Sequence, residues 1–117
     1  MIEVSGIVGV SSLIRSSANL HDSEVTTVAL VDADRLLKFY LKNLSEFDLE
    51  KGMLVCSTRE IELNLAKPIQ ERGRLDLNSY VGYGVIFAEV AGNSMSLATL
   101  AGELKFRFET IAAKVFE

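Results

Sequence analysis

Tyr80-Val81-Gly82-Tyr83-Gly84-Val85-Ile86-Phe87-Ala88-Glu89-Val90, then Ala91-Gly92-Asn93-Ser94, then MSLATLAGELKFRF from Met95 to Phe108, is the stretch whose reading decides the fold. Its first part reads as a strand carrying two glycines, and the tetrad at 91–94 has the composition of turns that close hairpins. Met95 to Leu100 reads as the return strand. Leu104, Phe106 and Phe108 alternate with Glu103, Lys105, Arg107 and Glu109, a period of two. The parity shifts at Ile111, Ala113 and Val115, which predicts a bend or bulge near Thr110. A helical rival exists: Leu97, Ala101, Leu104, Phe108, Ile111 and Val115 follow a 4-3 spacing. Gly102 would sit inside that helix at a cost of about 1 kcal/mol, and KFRFET favours a strand. The strand reading is taken, with the helix as its alternative.

Upstream, short apolar runs alternate with turn clusters. Ile2, Val4, Val8 and Val10 share one parity and predict a half-buried strand with glycines in it; the Ser-rich run 11–23 predicts a loop. EVTTVALV (Glu24–Val31) is rich in β-branched residues and reads as a strand, followed by a turn at Asp32-Ala33-Asp34. Arg35 to Lys42 fits a strand, yet Leu36, Leu37, Tyr40, Leu41, Leu44 and Phe47 also fit a helical stripe with Asp32 or Asp34 as N-cap. Residues 48–52 read as a turn into a strand from Met53. Ile61, Leu63 and Leu65 alternate with Glu60, Glu62 and Asn64, the two glutamates reading as a solvated face. Lys67 to Asp76, with the single proline Pro68, reads as an exposed loop. About seven short strands result, the usual material of a small antiparallel barrel or sandwich.

The 117 residues suit one domain spanning 1–117, with 49% hydrophobic and 24% charged residues. No apolar run approaches the roughly 20 residues of a bilayer span. Met1-Ile2-Glu3-Val4 has no secretory n-region, so a cytoplasmic location is expected. The net charge is −4; residues 1–34 hold one base (Arg15) and five acids, and the rest balances at eleven of each. That distribution argues against a general nucleic-acid binder.

Chemistry is sparse. Cys56 is the only cysteine and lies in an apolar run, a buried inert thiol; His21 is the only histidine and reads as a solvated loop side chain. No metal constellation, nucleophile–base pair or phosphate-binding glycine motif occurs; Gly82-Tyr83-Gly84 leads to no helix. The expectation is no enzyme, no cofactor, no metal and no small-molecule substrate. Tyr80, Tyr83 and Phe87 are close enough in sequence for a base-stacking platform, with core packing as the plainer explanation. Lys67, Arg72 and Arg74 are candidate phosphate contacts, partly offset by Glu71 and Asp76.

The hairpin 80–108 resembles that of the eighth small subunit shared by eukaryotic RNA polymerases and of its archaeal counterpart. That family has an aromatic–Val–x–x–Gly–x–Val–aromatic strand, a variable turn, and a second strand ending in Gly-Gly-Leu-Leu. Tyr80, Val81 and Gly84 match the first strand, with Ile86 and Phe87 continuing it; Gly102 and Leu104 match the second, while Ala101 stands where the first glycine is expected. LLKFYLKNLSEFDLEKGMLVCSTR is similar to a strand, turn and strand of the family, which favours a strand at 35–42. The likeness is loose over 24–110 and good over 79–108. The 67–76 loop has little room for the long eukaryotic insertion, which fits an archaeal form. The resemblance implies an all-β, OB-type antiparallel barrel of about seven to eight strands. It also implies a non-catalytic peripheral subunit docked on the largest subunit of RNA polymerase, touching DNA or RNA only through the complex. Tyr80, Tyr83, Gly84, Gly102 and Leu104 are the expected partner-contact positions. The competing readings are a free-standing OB module binding single strands through Tyr80, Tyr83 or the 67–74 loop, and an α+β interaction domain with helices at 34–47 and 97–115.

Overall fold

Alternating apolar residues dictate the architecture. In the computed structural model, which describes residues 2–33, 35–43, 45–48, 50–56 and 59–116 (backbone only for 45–48 and 54–56), the chain is all-β with one helix of ten residues. Its strands are β1 (Ile2–Ser5), β2 (Glu24–Val31), β3 (Leu36–Lys42), β4 (Ser45–Asp48), β5 (Met53–Cys56) and β6 (Glu60–Ala66). They continue with β7 (Ile69–Arg72), β8 (Val85–Ala91), β9 (Ser94–Thr99), β10 (Gly102–Arg107) and β11 (Thr110–Phe116). A five-stranded sheet has the order β1-β11-β6-β3-β2 and a four-stranded sheet the order β7-β10-β9-β8, while β4 and β5 pair apart as a hairpin. All pairs are antiparallel.

The two sheets share strands that bend. β6 runs into β7 through Lys67, whose φ is +48°, and Pro68. β10 runs into β11 through Phe108 and Glu109. At this corner the Glu109 N–H donates to Ala66 O (2.9 Å) and the Lys67 N–H to Arg35 O (2.7 Å). The bend expected near Thr110 is therefore one half of a paired corner. A second seam joins β2 to the chain entering β8. There Val25 N–H donates to Tyr83 O (3.1 Å), Gly82 N–H to Val25 O (2.8 Å) and Val85 N–H to Ser23 O (2.6 Å).

The inner faces meet in one core. Leu37, Phe39, Leu41, Ile61, Leu63, Leu65, Ile111, Ala113 and Val115 come from the larger sheet, and Ala88, Met95, Leu97, Leu104 and Phe106 from the smaller. Phe39 and Phe106 cross between the sheets edge to face, their centroids 5.9 Å apart. The segments read as ambiguous between helix and strand are strands. Residues 36–42 form β3, and 97–115 contribute to β9, β10 and β11, so the α+β alternative does not describe this chain.

Several local expectations are corrected. Residues 7–16 are the helix α1 (Ile7–Ser16), not a strand running into a loop. Val10 and Ile14, four apart, fall on its buried face with Leu13 packed beside them, and the serines occupy other positions. Part of the 67–76 loop is the strand β7, paired with β10. Tyr80 to Gly82 is turn rather than strand, with Gly84 in a single bridge to Glu24 ahead of β8; Asp76 Oδ1 accepts from the Asn78 N–H (3.1 Å) and starts a 3-10 turn over Leu77–Tyr80. Glu62 is buried rather than solvated; Lys38 Nζ donates to its Oε1 at 3.2 Å on the outer face of the larger sheet. His21 is exposed as expected. The Cys56 side chain, and the turn and capping roles of Asp34, lie outside the described residues.

Candidate interaction face

The site is built on β8. Gly92 opens the β8–β9 turn with φ +56°, and Ala91 pairs with Ser94, so a two-residue loop fixes the register. Toward the other end of the strand the register shifts between Val85 and Phe87, a bulge in which one extra residue is accommodated. The consequence is visible in burial. Val85, Ala88 and Val90 point inward, while Ile86 and Phe87, adjacent in sequence, are 47% and 42% exposed. An unbulged strand would have sent one of them into the core. Tyr83, 46% exposed, precedes the strand, and Leu100, 72% exposed, lies within 3.7 Å of where a Cβ on Gly84 would sit. The Leu100 N–H donates to Gly84 O at 3.0 Å, which ties this leucine to the β8 entry.

Acidic groups surround the apolar positions. His21 Nδ1 lies 3.0 Å from Ile86 O, with the exposed Asp22 beside it, and Glu24 bridges to Gly84. Glu89 follows two residues after Phe87. Neither Glu24 nor Glu89 forms an ion pair among the described residues. This face suits a partner that brings apolar and basic groups together.

The motif positions fall into two groups. Tyr80 and Leu104 are core residues, 1% and 0% exposed, so neither can touch a partner or stack on a base. Tyr80 Oη instead accepts the Arg74 N–H at 2.7 Å and holds the loop from inside. Gly73 is wedged between the same two side chains: a Cβ there would lie 2.6 Å from Leu104 Cδ2 and 2.8 Å from Tyr80 Oη. Tyr83 and Gly84 belong to the exposed face. Gly102, exposed with φ +127°, starts β10 opposite Thr99 and serves the β9–β10 turn. Tyr80, Tyr83 and Phe87 therefore do not form one platform.

The candidate phosphate contacts are largely taken. Lys67 Nζ lies 2.8 Å from Glu109 Oε2, and that hydrogen bond, with the charge behind it, raises the lysine pKa. Arg72 donates to Glu103 Oε2 at 3.2 Å, and Arg107 pairs with Glu71 at 2.9 Å across the same strands. Of the three, Arg74 alone has no side-chain ion pair among the described residues; its backbone serves the turn, with its carbonyl accepting from Gln70 Nε2 at 2.8 Å.

Sequence reasoning named Ile86 and Phe87 as an apolar continuation of the strand but did not see both turned outward. The two adjacent large apolar residues were the available signal; a one-residue bulge leaves no other mark in a single sequence. Among the described residues no group of three or more potential ligands could hold a metal ion, and no helix is long and apolar enough to cross a membrane. No family model, curated protein or solved structure matches the chain.

Proposed function

We propose that this chain is a non-catalytic docking subunit of an archaeal-type DNA-directed RNA polymerase, and that it binds the largest subunit through the β8 face. The observation that carries the docking role is the bulge that turns Ile86 and Phe87 out together beside Tyr83 and Leu100. Leaving two large apolar side chains 47% and 42% exposed forfeits roughly half of the 1.5–3 kcal/mol that full burial gives each, a loss that a partner surface recovers. The polymerase assignment rests on the likeness of the 80–108 hairpin. It is supported by where the likeness falls: Tyr80 and Leu104 close on Gly73 at one corner, Gly84 leads into β8, and Gly102 ends the β9–β10 turn that carries Leu100. A polar rim of Asp22, Glu24 and Glu89 favours a basic counterpart over a nucleic-acid strand, and the pairing of Lys67 and Arg72 with glutamates points the same way.

Expression of a tagged chain in an archaeal host, followed by isolation at native salt and identification of bound proteins, tests this. The largest polymerase subunit is expected in stoichiometric amount. An eluate free of polymerase subunits overturns the assignment.

A further inference from the structure

We infer that the outer face of the larger sheet carries a binding site for a neutral, flat heteroaromatic ring with one N–H donor. A cavity of about 400 Å³ opens there, on a different sheet from the β8 face, within the size range of small-ligand pockets. Its floor is flat because β6 and β11 place small residues outward side by side: Ala66 beside Thr110, and Asn64 beside Ala112. Leu36 and Ile7 add apolar walls. A planar ring covers such a floor with little loss of contact, whereas a branched aliphatic body does not.

The polar requirement comes from Asn64. It lines the cavity, and its Oδ1 is buried without a hydrogen-bond partner among the described residues. An unmade bond at a buried acceptor is costly, and native structures rarely leave one without a reason. The terminal torsion of asparagine is soft, so the carboxamide can turn this oxygen toward a donor in the cavity. A neutral ligand suits the lining, because its one carboxylate, Glu109, is paired with Lys67 and no other lining residue carries a charge.

Indole is the probe, read in the full chain by amide chemical shifts and by indole fluorescence, which the absence of tryptophan leaves uncontaminated. Saturable shifts are expected at 5–7, 64–66 and 110–112. Naphthalene, which has the shape without the donor, is expected to bind about fivefold more weakly, the worth of one hydrogen bond. Asn64→Ala should erase that preference, and Ala112→Leu, which fills the outer face, should abolish the shifts. N-acetyl-tryptophanamide separates the sources: binding equal to indole assigns the ring to a partner's tryptophan, and indole alone assigns it to a free small molecule. No saturable shifts up to the solubility of indole, shifts elsewhere on the chain, or equal binding of naphthalene by the wild-type chain would overturn the inference. None of these results bears on the β8 face, so the two proposals fail separately.

Discussion

Gly73, Tyr80 and Leu104 lock one corner of the molecule. Gly73 has φ +112°, where a side chain is strained, and a Cβ would also meet the Glu103 carbonyl at 2.9 Å. Backbone strain and overpacking act together, so Gly73→Ala should cost about 2–4 kcal/mol in denaturant unfolding. Tyr80→Phe keeps the ring and removes the acceptor of the Arg74 N–H, and should cost about 1–2 kcal/mol by the same measurement. An unchanged midpoint in both would contradict the description of this corner. The sequence shows an aromatic near glycines and basic residues at 72 and 74, which also fits a stacking surface, though core packing is the plainer explanation. Tyr80 and Leu104, 24 positions apart, both close on Gly73, and no local pattern reports that meeting.

The elements were legible to the extent that their side chains alternate. β3, β6, β10 and β11 follow from period two, β2 from its β-branched residues and β9 as the return of the hairpin; the helical 4-3 spacing through Leu97 to Val115 is an accident of three strands joined by a turn and a corner. The helix α1 was hidden because Val8 and Val10 match the parity of β1, and because serines dilute its second half. Its packing is nonetheless part of the core: Ile14 is buried, and Ile14→Ala should cost about 2–4 kcal/mol, where a solvated loop residue would cost almost nothing. Within the larger sheet, the Lys38–Glu62 pair holds a carboxylate that is only 6% exposed. Removing the lysine in Lys38→Met should cost about 1–3 kcal/mol, less than for a fully buried pair because Lys38 retains 28% exposure. The hydrogen bond to Glu62, then its charge, raises the Lys38 pKa above the ordinary 10.5. The contribution is therefore complete below pH 10.5 and is lost as the pH rises through the raised value. Unfolding curves of wild type and Lys38→Met should converge over that alkaline window; a gap that stays constant would contradict the pair's role.

At the scale of the whole molecule, alternating runs and turn clusters placed the chain in the all-β class, and the structure keeps it there. Two corners, at 67–68 and 108–109, carry the chain from one sheet to the other; eleven strands are described where about seven are expected, because 69–72 forms β7 in place of a loop, β10 and β11 divide at a corner, and β4 pairs with β5 apart from both sheets. What a single sequence does not report is which apolar residues remain outside. That depends on the β8 bulge and on the seam between β2 and the β8 entry, both set by non-local backbone pairing. The docking face is consequently the central claim. Its most direct test compares wild type with Ile86→Glu/Phe87→Glu, both positions being exposed in the folded chain. Circular dichroism and the unfolding midpoint should be unchanged. The amount of largest polymerase subunit recovered with the tagged variant should fall at least about tenfold, the loss of roughly 1.4 kcal/mol or more of binding. Equal recovery of that subunit with wild type and the folded double variant would contradict the account.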